Sequence, residues 1–225
     1  MKSSNYLNRI HQGDCIDVLA KLPSETADIV ITDPPYLVRY KDRSGRSLMN
    51  DASDGWLAPA YRQIHRALKP DSLCVSFYGW HRVDDFMRAW RAAGFYPVGH
   101  IVWTKQYSSN SRFLAYRHEQ AYLLAKGRPQ TPAEPVPDAL PWVYSRNRLH
   151  PTEKAPAILA PLIKSLTKPG DVVLDPFAGS GSTLVAAKEL RREWFGVELD
   201  PRHAAVANAR LKATFCKAEN MAAVA

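Results

Sequence analysis

Short apolar segments alternate with helical segments along most of this chain. Besides a strand ending near Gly13 and one led by His118, strands are predicted over 27–32, 73–78, 97–103, 171–174 and 195–199. Helices are predicted over 15–22, 55–68, 80–93, 156–167, 183–191 and 201–214. Because this alternation is typical of a mostly parallel sheet with helices on both faces, we predict an α/β, doubly wound fold.

The composition argues against several classes of protein, among them membrane-spanning and disulfide-framework proteins. The chain has 225 residues, with 30 Lys and Arg against 22 Asp and Glu, and a formal charge of +8 that suggests a polyanionic partner. We interpret 1–225 as a single domain. No stretch approaches the roughly 18 apolar residues of a membrane helix, and the first residues lack a signal-peptide core, which predicts a cytoplasmic protein. The three cysteines lie outside any CxxC pair, so neither a disulfide framework nor a metal site is predicted.

Residues 172–183 read as a strand, a tight glycine turn and the start of a helix. Such a turn lets the backbone approach a ligand, and the helix start offers unpaired N–H groups. Glu198 ends the next predicted strand, 17 residues after Gly181, where doubly wound nucleotide sites place a carboxylate that binds ribose hydroxyls. Ser182 follows Gly181, so the lysine of a P-loop is absent. The alternative is a purely structural turn.

A second motif, Asp33-Pro34-Pro35-Tyr36, directly follows the predicted strand 27–32. Open α/β sheets bind their ligands at this end of their strands. The two prolines cannot donate to a sheet ladder and therefore end the strand. The alternative interpretation is a rigid proline turn in which Tyr36 serves only packing.

Together these motifs resemble the S-adenosylmethionine-dependent amino-methyltransferases of DNA. The tetrapeptide that begins at Asp33 precedes the glycine loop, which is the motif order of the circularly permuted β group. Segments 13–15, 118–119 and 150–154 also match, so the resemblance spans nearly the whole chain. It implies a Rossmann-like class I methyltransferase fold and direct methyl transfer to an amine of a flipped-out base.

The resemblance also implies roles for individual residues. Asp33 and the Pro34 carbonyl would accept the amine protons, and Tyr36 would stack on the extruded base, with Pro35 completing the motif. Glu198 would bind the ribose of S-adenosylmethionine, and Asp14 its adenine amine. The cofactor residues implied in all are Asp14, Cys15, Thr152, Lys154, Asp175, Phe177, Gly179, Ser180, Gly181, Ser182 and Glu198.

The target atom is predicted to be adenine N6. None of the three cysteines follows a proline, which excludes the thiolate chemistry of cytosine C5 methylation. Cytosine-N4 enzymes of the family more often have serine where Asp33 stands. The alternatives are a cytosine-N4 enzyme, an RNA or protein methyltransferase of the same fold, and a catalytically silent DNA-binding regulator. The pair His118-Glu119 is interpreted as structural, and Trp80, Trp90 and Trp103 as core.

Basic residues are concentrated in two irregular segments, 37–54 and 104–149. Segment 105–148 has seven basic and three acidic residues, and therefore carries +4 of the total +8. We expect double-stranded DNA as the partner, with phosphate contacts from Arg39, Lys41, Arg43, Arg46, Lys105, Arg112, Arg128, Arg146 and Arg148. Only 127–148 is spare for target recognition, so the expected specificity is short or relaxed, or a second subunit of a homodimer helps to hold the duplex.

Overall fold

The computed structural model describes residues 6–38, 53–108, 113–143 and 154–222, with side chains up to residue 214. Its strands are β1 (Arg9–Gln12), β2 (Ala27–Thr32), β3 (Leu68–Phe77), β4 (Tyr96–Thr104), β5 (His118–Lys126), β6 (Ala139–Pro141), β7 (Val172–Asp175) and β8 (Glu193–Glu198). Its helices are α1 (Cys15–Lys21), α2 (Leu57–Ala67), α3 (Val83–Ala93), α4 (Pro156–Leu166), α5 (Ser182–Glu189) and α6 (Pro201–Ala222).

The eight strands form one sheet in the order β1-β8-β7-β2-β3-β5-β4-β6. Neighbouring strands are parallel except around β5, which runs antiparallel to both β3 and β4. The mostly parallel sheet confirms the predicted fold class. Since β1 pairs with β8, the two ends of the chain meet in the sheet.

Helices cover both faces of the sheet, as predicted. On β2, Val30 packs into a buried cluster with α1, α2 and α3, whereas Ile29 and Ile31 pack into a second cluster with α4, α5 and Leu211 of α6. This alternation follows from the two-residue period of a strand, which points successive side chains to opposite faces. The near-continuous apolar sequence of β2 is therefore buried on both sides.

Local signals explain where several helices begin and end. Asp14 caps α1, because its Oδ1 accepts a hydrogen bond of 2.8 Å from the amide of Ile16. Pro156 begins α4, where its missing N–H costs nothing. Gly94 ends α3 with φ of +99°, a conformation that side chains other than glycine rarely adopt.

Three details of the predicted elements were wrong. Strand β3 begins at Leu68 rather than near residue 73, directly after α2. Segment 127–148, expected to be irregular, contains β6, whose three residues pair in parallel with the outer strand β4. Helix α6 extends beyond the expected end at residue 214, to Ala222. In the described part of the chain, no helix has the length and apolarity needed to cross a bilayer.

Candidate active site

The chain changes direction in the sheet between β2 and β7. From β2 it continues to β3 on one side, and from β7 it continues to β8 on the other. The loops after adjacent strands therefore diverge, and the crevice between them is where open α/β sheets bind ligands. The predicted residues that line this cleft are Asp14, Cys15, Asp33, Pro34, Pro35, Tyr36, Lys154, Asp175, Phe177, Gly179, Ser180, Ser182 and Glu198.

Asp33 lies directly after β2 with both carboxylate oxygens engaged. Its Oδ1 accepts a hydrogen bond of 2.8 Å from the Tyr36 hydroxyl. Its Oδ2 forms an ion pair with the ammonium of Lys154. Burial and the Asp33 carboxylate raise the pKa of the Tyr36 phenol well above its usual value of 10, so Tyr36 stays protonated and donates to Asp33.

Lys154 packs against the tetrapeptide that begins at Asp33. Its residue is only 7% exposed, and its ammonium lies 4.4 Å from the centroid of the Phe77 ring and 3.4 Å from the Tyr36 hydroxyl. A buried ammonium needs such a partner, because its desolvation is costly unless it is paired. The sequence indicated Lys154 near a cofactor carboxylate; the structure pairs it with Asp33.

The glycine loop after β7 is held by its backbone conformation and by α6. Gly181 has φ of +82°, and a Cβ there would lie 3.0 Å from the Cβ of Ala207. Gly181 itself is not among the residues that line the cleft; it sets the turn into α5. Arg210 of α6 donates to the Ser180 carbonyl at 2.7 Å and to the hydroxyls of Ser180 and Ser182 at 3.0 and 3.1 Å. These bonds fix the loop in place.

Glu198 ends β8 opposite this loop. Its Oε2 accepts from the amide of Gly179 at 2.7 Å, and its Oε1 accepts from the amide of Asp200 at 2.8 Å. Burial raises the pKa of Glu198 above its usual value. Each carboxylate oxygen has a second lone pair, so the group can still accept hydrogen bonds from a pair of ligand hydroxyls.

Asp175 is the most deeply buried acid of the cleft, with 2% of its surface exposed. Burial raises its pKa from 3.8 to about 7. The amide of Phe177 donates to its Oδ1 at 3.1 Å, which favours the ionised form and opposes part of that shift. Asp175 therefore exchanges its proton near neutral pH.

The start of α1 closes the far side of the cleft. The amide of Gly13 donates to the Glu198 carbonyl at 3.0 Å, which ties the end of β1 to the end of β8. Burial and the neighbouring Asp14 carboxylate raise the pKa of the Cys15 thiol to about 12. Cys15 is therefore a neutral lining group and not a nucleophile.

Comparison with known proteins identifies the family. Residues 27–209 match the sequence model of the N6/N4 methyltransferase family, described as DNA methylase. A protein of Escherichia coli (strain K12) named "Putative methylase YubD" is 53% identical over 207 residues, which are 92% of this chain and 91% of that protein. The chain belongs to the DNA amino-methyltransferase family. The type II methyltransferase M.BglII of Bacillus subtilis is 25% identical, and the match covers 90% of this chain and 68% of M.BglII.

Solved structures agree with the fold. The crystal structure of the M1.HpyAVI–SAM complex superposes with a TM-score of 0.70 at 22% identity, covering 90% of this chain and 98% of that one. The PvuII DNA methyltransferase, which is cytosine-N4-specific, gives a TM-score of 0.72 at 20% identity, covering 89% and 85%. At these identities the likeness establishes the class I methyltransferase fold alone.

S-adenosylmethionine is the cofactor of this methyltransferase family, and the cleft fits it. The carboxylate of Glu198, fixed by two backbone amides, matches a ribose diol. Phe177 supplies an aromatic wall of the cleft. Trp56 packs edge-on against this ring, with 5.2 Å between ring centroids. His203 completes the lining, with Nδ1 4.0 Å from Glu198 Oε1.

Two of the predicted phosphate contacts lie in the described structure, one buried and one exposed. Lys105 is 6% exposed, forms an ion pair with Glu119 and lies 5.0 Å from the centroid of the Trp142 ring. The sequence analysis interpreted His118-Glu119 as a structural pair; the described partner of Glu119 is Lys105 instead. Arg128 is exposed, and only its backbone amide has a described bond, of 2.6 Å to Asp71. Outside the described residues lie Arg39, Lys41, Arg43, Arg46, Arg112, Arg146, Arg148 and Thr152.

One tryptophan prediction was wrong. Trp90 and Trp103 are fully buried, but Trp80 is 56% exposed. It begins a single 3₁₀ turn, Trp80–Arg82, that precedes α3 and lies outside the helix core. The helical pattern of 80–93 does not indicate which of its aromatic side chains are exposed.

Sequence reasoning also missed several residues of the site. Arg210, Trp56 and His203 were not singled out. The partner of Arg210 lies far along the chain, because Arg210 contacts Ser180 across 30 positions. No local pattern marks such contacts, because they depend on how α6 packs against the glycine loop.

Proposed function

We propose that this methyltransferase transfers a methyl group from S-adenosylmethionine to the exocyclic N6 amine of adenine in DNA. The observation that carries the proposal is the position of Asp33, beside Tyr36 and directly across the crevice from the glycine loop. A carboxylate in this place can accept a hydrogen bond from the target amine, which loses one proton when it is methylated. The β-group order of the motifs, with Asp33 ahead of Gly181, argues against the RNA and protein alternatives.

The amine of a nucleobase is a poor nucleophile, since its lone pair is delocalised into the ring. Asp33 and the Pro34 carbonyl would each accept a hydrogen bond from the amine, which favours a localised lone pair. S-adenosylmethionine supplies an electrophilic methyl group on a sulfonium. The protein contributes position and charge and needs no covalent intermediate, in accord with the neutral thiol of Cys15.

Asp33 must exchange partners when the base enters. Tyr36 and Lys154 hold its two oxygens, so the incoming amine would replace or share one of these bonds. Tyr36 is the partner that would leave, because its ring is also the surface for stacking on the base. Lys154 would stay and keep the carboxylate oriented.

The cofactor half of the cleft would be divided along its length. Glu198 would bind the ribose hydroxyls, and Phe177 and Gly179 would surround the methionine part, with Gly181 setting the turn between them and α5. Asp14 would meet the adenine amine with the oxygen that does not cap α1. The further proposed contacts are Cys15, Thr152, Lys154, Asp175, Ser180 and Ser182.

We further propose a single catalytic domain that acts in the cytoplasm, alone or as a homodimer. Arg128 and the basic residues outside the described part of the chain would contact phosphates. Lys105 is withdrawn from this set, because it is buried against Glu119. Short or relaxed sequence specificity follows from the small size of 127–148.

Product analysis tests the proposal. The purified protein is incubated with S-adenosylmethionine carrying a labelled methyl group and with unmethylated DNA, RNA or protein. The DNA is then digested to nucleosides and separated by chromatography. Label in N6-methyladenine is expected. Label in N4-methylcytosine, or label only in RNA or protein, would refute the assignment, and DNA binding without any label would indicate a silent regulator.

A further inference from the structure

Exposed apolar side chains are concentrated at the edge of the sheet that carries Asp33. This edge comprises the carboxyl ends of the parallel strands and the amino end of the antiparallel β5. Of the large apolar residues that are exposed in the described structure, two, Tyr96 and Val98, lie at the start of β4, away from this edge. The others follow or precede strands at the catalytic edge: Val38, Trp80, Tyr107, Phe113, Leu114 and Val143.

Two aromatic rings at this edge are stacked on one another. Trp80 and Tyr116 have ring centroids 5.8 Å apart and planes inclined by 21°. Trp80 is 56% exposed, and Phe113, in the segment that leads to Tyr116, is 99% exposed. An exposed apolar group of this kind usually marks a binding surface.

The stacked pair adjoins the catalytic motif. Gly79, the residue before Trp80, lies so close to Tyr36 that a Cβ on it would be 2.8 Å from the Tyr36 carbonyl oxygen. Neither ring of the pair is among the residues that line the cofactor cleft. The pair therefore lies beside the target-base position, on a surface separate from the cofactor.

We propose that Trp80 and Tyr116 form an aromatic platform that stacks on a DNA base left unstacked when the target base leaves the duplex. This inference rests on the proposed function, since it assumes that a base leaves the duplex at Asp33. Extrusion of one base removes stacking from its neighbours, and an aromatic surface beside the exit point restores it. Every nucleobase has such a face, so the platform binds without reading sequence.

The surroundings of the platform favour a nucleic acid over a protein as its occupant. Arg117 follows Tyr116 and is exposed, so a cation is available for the phosphate beside the stacked base. The whole chain carries a net charge of +8, which favours association with polyanions.

Binding of single-stranded DNA tests the platform without any methylation. The probe is a short oligodeoxynucleotide that contains the fluorescent adenine analogue 2-aminopurine, whose emission falls when it stacks. The variants are Trp80→Ala, Trp80→Phe and, as a matched aromatic control at the opposite edge, Tyr96→Ala. Trp80→Ala is expected to weaken binding roughly tenfold and to abolish the quenching, because stacking of one base is lost. The affinity of Trp80→Phe should stay within about threefold of that of the unchanged protein. Tyr96→Ala should bind the oligonucleotide as tightly as the unchanged protein does.

Salt dependence and molecular mass separate stacking from other causes. The slope of binding against salt should be unchanged in Trp80→Ala, because no phosphate contact is removed. Equal binding and quenching by Trp80→Ala would overturn the platform, as would a change in oligomeric state, which would assign the surface to a second copy of the chain. Failure of the proposed function is distinct: a protein that labels no adenine, yet loses oligonucleotide binding with Trp80→Ala, keeps the platform and loses only the assigned reaction.

Discussion

The two halves of the cleft are built in different ways. On the cofactor side, backbone amides of Gly179 and Asp200 fix Glu198, and Arg210 fixes the glycine loop. On the base side, the described partners of Asp33 are side chains, those of Tyr36 and Lys154. Backbone bonds hold a geometry that exists before the ligand arrives, whereas side-chain bonds can be exchanged. If the proposed roles are right, the cofactor site is therefore preformed and the base site must rearrange.

The largest expected effect separates turnover from cofactor affinity. Asp33→Ala removes the acceptor for the target amine, so methyl transfer should fall by about a thousandfold. The affinity for S-adenosylmethionine, measured by calorimetry, should stay within about twofold, because the preformed half is untouched. The control is Asp84→Ala, which changes an exposed carboxylate on α3. A large loss of cofactor affinity in Asp33→Ala would break the division into two halves.

A second prediction tests whether Lys154 serves the base half or the cofactor half of the cleft. Lys154→Met removes the ion pair with Asp33 but keeps an apolar side chain over Phe77. If Lys154 orients the catalytic carboxylate, kcat should fall by about a hundredfold with little change in the cofactor Kd.

A second lysine–aspartate pair provides the matched control. Lys69 lies 2.6 Å from Asp28 near the start of β2, away from the cleft, and Lys69→Met should leave kcat unchanged. Thermal unfolding of both variants shows whether lost stability explains the result. A weaker cofactor Kd with unchanged kcat would return Lys154 to the cofactor carboxylate.

A smaller effect is expected on the cofactor side. Glu198→Gln leaves one of the two backbone amides facing an NH₂ group and removes a charged acceptor for the ribose, which should weaken cofactor binding about thirtyfold. At saturating cofactor, kcat should change by less than about threefold. Glu193→Gln, at the other end of β8, is the control. Equal losses in Kd and kcat would show that the halves are coupled.

The fold and the two motifs could be predicted because each is local. Asp33 and Gly181 both lie in short runs where a buried strand ends in prolines or glycines, and such runs specify strand ends directly. The antiparallel direction of β5 and the pairing of β6 could not be predicted in this way. Both depend on which edge is free when the sheet assembles, and the three residues of β6 become a strand only through β4.

Contacts between distant residues were also beyond sequence reasoning. Lys154 and Asp33 are 121 positions apart, and nothing near either residue marks the other. Trp80 illustrates a second limit, because a helical pattern does not distinguish a buried aromatic residue from one in the preceding 3₁₀ turn. Exposure is a property of the packed molecule.

The buried carboxyl of Asp175 has a consequence for folding itself. Its pKa is about 7 in the folded protein against 3.8 ordinarily, so between these values the folded state binds the proton and the unfolded state does not. Its contribution to stability is therefore complete in acid, declines as the pH rises towards about 7, and is absent above. Near pH 5.5 Asp175 should add about one proton to the number that folding takes up from the buffer, measured by calorimetry in buffers of different ionisation enthalpy as the difference between the unchanged protein and Asp175→Asn.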